Sequence, residues 1–182
     1  SAQFFWHDIA QSVSPDYSDF CHDLLACCSP FVIGCDLFAM QAVRSQPGFI
    51  PVGLYKNPLL VDAVNNTNAL CRTDLLVTGG TTPSARSQLT NYIFDLLKNG
   101  PNGFQKVHVD PTLLPSDPPC WMVKADFSVE MFCMLKCAVC RPGLGILTDL
   151  ITAGVQILPI YEHENAEMVH NAEVVRNLAV SS

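Results

Sequence analysis

The stretch over residues 139–171, VCRPGLGILTDLITAGVQILPIYEHENAEMVHN, alternates apolar and polar segments in a rhythm that few folds can satisfy. A short apolar run over 138–140 leads into a Gly-rich turn over 141–145 and then a helical pattern over 146–153. A second apolar run over 155–160 leads into a polar turn over 161–167 that opens another helix. Strand, helix, strand, helix is the signature of a parallel sheet in a doubly wound α/β domain. Such sheets place ligands beyond the carboxyl ends of their strands, where helix N-termini present unpaired N–H groups. Both polar turns are therefore expected to open on one edge.

The two turns carry complementary chemistry. Gly143 and Gly145 remove Cβ atoms where backbone could approach a ligand, and the helix start after them favours an anion, so a phosphate is the natural guest. Arg141 can meet a phosphate with two parallel N–H donors, or it can pair with a nearby carboxylate. Asp149, Glu162, Glu164, Asn165 and Glu167 offer acceptors for sugar hydroxyls. A phosphate beside hydroxyls describes a nucleotide or a nucleotide sugar. Gly-rich turns also close many αβ units for packing alone, and that alternative stands beside the ligand reading.

The rest of the chain repeats the pattern with interruptions. Residues 1–30 carry apolar positions at helical spacing, and the pairs His7-Asp8 and His22-Asp23 point about 100° apart on a helix, so neither is a preformed dyad. Residues 31–35 read as a strand, Asp36 as the cap of a helix over 37–45, and 49–55 as the next strand. Residues 56–70, with Pro58 and an Asn-rich patch at 65, 66 and 68, read as a connector. A second α/β unit opens with a strand over 74–78, the turn Gly79-Gly80-Thr81-Thr82-Pro83-Ser84, and a helix over 85–98 stopped by Asn99-Gly100-Pro101. The glycines permit close approach and the hydroxyls can bond phosphate oxygens; without a following Lys this is not a P-loop. Strands over 106–109 and 121–124 flank a Pro-rich loop, and an apolar helix is expected over 127–136.

Cys133, Cys137 and Cys140 have the C-x3-C-x2-C spacing that elsewhere nests an iron–sulfur cluster. They fall within the apolar run MFCMLKCAVC, however, so packed free thiols are expected and no metal site is assigned. The odd count of nine cysteines, mostly within apolar runs, favours reduced thiols in a cytoplasmic protein over a disulfide framework. The net charge of -7 and the scatter of Lys and Arg speak against a nucleic-acid surface. No apolar stretch reaches the roughly 18 residues that span a bilayer, which leaves peripheral membrane contact open.

With these residues assembled, the chain resembles the GT-B glycosyltransferases, particularly the branch with UDP-glycosyltransferases and the bacterial enzyme that makes lipid II. The resemblance is closest over residues 74–180, the C-terminal nucleotide-sugar-binding domain of that family, and 31–55 look like the last βαβ unit of its acceptor-side domain. It implies a Rossmann-like fold divided into 1–60, a linker over 61–73, and 74–182. It implies donor-binding roles for Gly79, Gly80, Thr81, Thr82, Arg141, Gly143, Gly145 and Ile146 at the diphosphate. Asp149 stands at the ribose position, where relatives carry Glu, and Glu164, Glu167 and Asn171 fall near the sugar. Met168 replaces the Gln that relatives place beside Glu167. The activity implied is metal-independent, inverting transfer of a UDP-linked sugar to an acceptor that the residues do not define. The nucleotide sugar is a co-substrate, and no other cofactor is implied. The family's catalytic base lies in the preceding domain, so no base is assigned here. The chain reads as a piece of a longer protein, whose activity calls for a partner domain or subunit. The alternative is a non-catalytic nucleotide-sugar-binding module that works with a second chain.

Overall fold

A computed structural model describes residues 14–27, 32–67, 72–79 and 82–180. The chain order is α1 (Pro15–Cys27), β1 (Val32–Cys35), α2 (Gln41–Arg44), β2 (Phe49–Val52), α3 (Pro58–Asn66), β3 (Asp74–Thr78) and α4 (Pro83–Asn99). There follow β4 (Val107–Val109), β5 (Met122–Lys124), α5 (Val129–Met134), β6 (Leu135–Cys140), α6 (Leu144–Ala153), β7 (Gln156–Pro159) and α7 (Ala166–Val180). Five strands form one all-parallel sheet in the order β5-β4-β3-β6-β7. The chain builds outward from β3 through β4 and β5, then returns to the other side of β3 for β6 and β7. The direction of winding thus reverses between β3 and β6, a topological switch point.

Alternation along the strands divides the core into two layers. Leu76, Ala138 and Cys140 face Leu60 of α3, Met131, Phe132 and Cys133 of α5, and Leu150 and Ala153 of α6. Leu75, Val77, Val107, Val109 and Val139 face Leu89, Ile93 and Leu96 of α4. Helices therefore cover both faces, and all five residues of β3 are buried, as a central parallel strand requires. This is the doubly wound, Rossmann-like α/β fold that the strand–helix rhythm predicts.

Local chemistry sets the ends of the elements. In α4, Pro83 occupies the first turn, where its missing N–H costs nothing. Gly100 stops that helix at φ 84°, in the left-handed region that glycine tolerates. The α6 helix ends at Gly154, φ 67°, whose N–H bonds back to the carbonyls of Leu150 and Ile151. Arg72 of the segment before β3 also donates to the carbonyl of Ala153 at that end.

Three expectations change. Residues 58–66, read as part of a connector, form α3: the Asn57 side chain accepts from Leu59 N–H at 3.1 Å, Pro58 starts the helix, and Leu60 sits in the core. The helix expected over 127–136 ends at Met134, because Leu135 already begins β6 beside Asp74 of β3. An apolar run of this kind fits helix or strand equally, and pairing with β3 decides it. Asp36 caps no helix over 37–45; α2 starts only at Gln41, and Asp36 forms an ion pair with Arg44 at 2.8 Å.

The β1–α2–β2 unit is a separate parallel pair of strands. Phe38 of that unit, 1% exposed, packs with Leu147 of α6 and Val175 of α7, and His170 of α7 lies 3.1 Å from the Phe38 carbonyl. A partial α/β unit thus precedes the main sheet and docks on its last two helices.

Candidate functional site

The carboxyl ends of β3, β4, β6 and β7 are aligned by bonds that continue the ladder beyond the strands. Asp110 N–H donates to the Val77 carbonyl at 2.9 Å, Arg141 N–H to Thr78 at 3.2 Å, and Ile160 N–H to Cys140 at 2.9 Å. The Gly79 turn and the 141–145 turn therefore leave the sheet side by side at the switch point. Thr78, at the end of β3, donates from its hydroxyl to Asp110 at 3.0 Å, and Asp110 also accepts from the backbone and hydroxyl of Thr112. These bonds tie the end of β3 to the loop after β4.

Between the two turns lies a pocket of about 260 Å³ lined by Thr78, Gly79, Arg141, Gly143 and Ile146. The first N–H groups of any α-helix have no partner within the helix. Gly143 is the N-cap of α6 and supplies no side-chain acceptor for them. A positive helix end thus faces this pocket beside Arg141. A Cβ built on Gly143 or Gly145 meets nothing within 4 Å, so neither glycine is demanded by packing. Gly79 is different: its Cβ would stand 1.9 Å from Cδ1 of Leu89. A side chain at 79 would have to displace buried Leu89 from between α4 and β3.

Arg141 is engaged with the polar turn after β7. Its Nε lies 3.2 Å from Glu162 Oε2, with both side chains largely buried at 18% and 11% exposure. The hydroxyl of Thr82 donates to the other oxygen of Glu162. Burial pushes the Glu162 carboxyl up, but the Thr82 hydroxyl, its own backbone and Arg141 outweigh burial and hold it below its ordinary value. Glu167, in the first turn of α7, behaves oppositely: burial raises it, and the attraction of Arg141 offsets only part of that rise. Of the two chemistries open to Arg141, the structure has the carboxylate pair, and its partner Glu162 was only one of several acceptors in the sequence.

The other candidate residues distribute around this centre. Gly145 and Asp149 line a second pocket of about 330 Å³ with Tyr55, Leu144 and Thr148. The Asp149 carboxyl is pushed up by burial. Thr82 and Glu164 line a third, of about 340 Å³, with Pro83, Ser84, Glu162 and Asn165. Asn171 is fully buried and donates from Nδ2 to the Pro142 carbonyl at 2.9 Å, holding the 141–145 turn from α7, while its Oδ1 has no partner. Gly80 and Thr81 lie outside the described residues. Thr78 and Tyr55 were not singled out from sequence; Thr78 ends a strand that was, whereas nothing local marks Tyr55 as a neighbour of Asp149.

The cysteines do not converge. Cys140 points into the layer with Cys133, whereas Cys137 packs on the opposite face of β6. Burial pushes the Cys140 thiol up to about 12, which keeps it protonated. Among the described residues no three His, Cys, Asp or Glu side chains are grouped to hold a metal ion. No helix of the described residues is long and apolar enough to cross a membrane.

A comparison with models of known protein families gives no match, and neither does a comparison with curated proteins. Fold and site together define a Rossmann-like α/β protein with a cleft at its switch point, lined by Arg141 and the N-terminus of α6.

Proposed function

We propose that this chain is the donor-binding part of a glycosyltransferase, with the diphosphate of a UDP-linked sugar held at the turn over 141–145. One observation carries the reading: Gly143 is glycine where a side chain would have open space, at a helix N-terminus that lines a pocket with Arg141. Its φ of -73° suits any residue, so neither backbone strain nor packing accounts for the glycine. Close approach of a ligand to the backbone does account for it, and the helix end selects an anion. Donors fixed before the reaction are what a departing nucleoside diphosphate needs to be stabilised without a metal. In this reading Asp149 accepts from the ribose, and Glu164 and Glu167 serve the sugar. The chain's activity then depends on an acceptor-side domain or partner that supplies the base.

Titration calorimetry with UDP in the absence of Mg²⁺ tests the proposal. Saturable binding that falls at least about tenfold in Gly143→Val is expected, which corresponds to about 1.4 kcal/mol. Equal affinity in the folded variant would move the diphosphate elsewhere, and no binding either to the parent protein or to a variant without the Glu162 carboxylate beside Arg141 would end the donor reading for this chain. Transfer or donor hydrolysis by this chain alone would show that no partner is needed.

A further inference from the structure

The Arg141–Glu162 bond runs along the divide between two pockets. Arg141 lines the one that also contains Gly79 and Gly143, and Glu162 lines the one that contains Thr82, Ser84, Glu164 and Asn165. The contact is 3.2 Å long and spans the ends of β6 and β7, and Thr82 at the start of α4 holds Glu162 from the far side. Three elements thus meet in one closed arrangement, in which the cation best placed to meet an anion already has one. We propose that Glu162 is a resident competitor for Arg141, an autoinhibitory contact that a diphosphate displaces when it binds. The inference rests on the reading of the first pocket as a diphosphate site.

The physical consequence is a toll on affinity. If only the opened arrangement accepts the ligand, the apparent dissociation constant exceeds the intrinsic one by the inverse of the opened fraction. For a partly buried pair held at both ends, an opened fraction of about a tenth is reasonable, so removing the competitor should tighten binding about tenfold. A ligand with one negative charge competes poorly with a carboxylate already in place, whereas a diphosphate brings several. The contact therefore also selects for highly charged anions.

UDP and inorganic pyrophosphate titrated against the parent chain and three variants test this. Glu162→Gln removes the competing charge and is expected to bind both probes about tenfold more tightly. Glu164→Gln removes the same charge from the same turn without releasing Arg141, and should gain much less. Glu162→Asp keeps the charge but shortens its reach, so any gain with it can come only from a weakened pair; a gain of a few-fold is expected. Circular dichroism verifies that each variant is folded, and if Glu162→Gln is not, Glu162→Asp decides. Parent binding with no gain in Glu162→Gln beyond that of Glu164→Gln, or with weaker binding, overturns the competitor and leaves the diphosphate site standing. Binding seen only after Glu162→Gln would be the competitor in its strongest form. Absence of binding to the parent and every variant removes the site and the competitor with it.

Discussion

The Gly79 turn and the 141–145 turn sit side by side at the edge of the sheet, look alike as sequence, and hold their glycines for opposite reasons. At Gly79 a methyl group would overlap Leu89, which is fully buried under β3. At Gly143 a methyl group would enter empty space in a pocket. The first turn is shaped by the interior that it closes, whereas the second is held from outside, by Asn171 on Pro142 and by Glu162 on Arg141. A glycine thus says that something must come close, and only the surroundings say whether it is already there.

The comparison can be broken most directly at its packed member. Gly79→Ala should cost about 1–3 kcal/mol, the usual penalty for forcing a methylene into a filled core, as read from urea unfolding. Combining it with Leu89→Ala should be less costly than the sum of the two changes, because the second makes room for the first. Additive losses would mean that α4 shifts and that Leu89 is not the obstacle.

Asn171→Leu keeps the bulk but removes the donor to Pro142, leaving a buried carbonyl unmatched. A loss of about 1–3 kcal/mol in the same unfolding assay is expected. No loss would mean that the open turn keeps its shape without help from α7.

Gly143→Ser sharpens the contrast, since serine is at least as good an N-cap as glycine. Stability should stay level or rise by a few tenths of a kcal/mol, as differential scanning calorimetry would register. Meanwhile UDP affinity should fall about tenfold, because the new side chain and its hydroxyl occupy the ends of the N–H groups. A loss of stability with unchanged affinity would place Gly143 in the same class as Gly79.

The smallest effect is expected from pH, at the two carboxylates around Arg141. Glu167 has a folded-state pKa above its unfolded value, so its ionisation opposes folding at neutral pH, and the cost is relieved as pH falls through the folded value. Glu167→Gln should therefore raise the Tm near pH 7, with the advantage fading by about pH 4. Glu162 has the opposite sign: its folded pKa is lowered, so its contribution is present above the unfolded value and is lost as pH falls through the folded one. Glu162→Gln should lower the Tm near neutrality, even while it frees Arg141. A common sign for the two variants would contradict the separation of the pair into one satisfied and one desolvated carboxylate.

Much of the scaffold can be read from the chain because the signals are short-range. Short apolar runs bounded by polar turns define β3 and β7, the positions Ala85, Leu89, Ile93 and Leu96 define the buried stripe of α4, and Gly100 and Gly154 mark helix ends. The spacing within a few residues carries those periods, and backbone geometry enforces them. Asn57-Pro58 is also a readable helix start, although the asparagines that follow it favour a connector instead.

Tertiary structure decided the rest. The stretch from Met131 to Cys140 is apolar throughout, and only the register with β3 makes Leu135 the first residue of a strand. Arg141 and Glu162 are 21 residues apart, and Thr82 and Glu162 80 apart, so no local pattern could announce that these three groups would meet. Short-range pattern alone gives the order of strands and helices, α3 excepted, and which turns carry glycine. What lies within reach of each missing Cβ, and which anion a given cation already holds, depends on neighbours that the sheet brings together from distant parts of the chain.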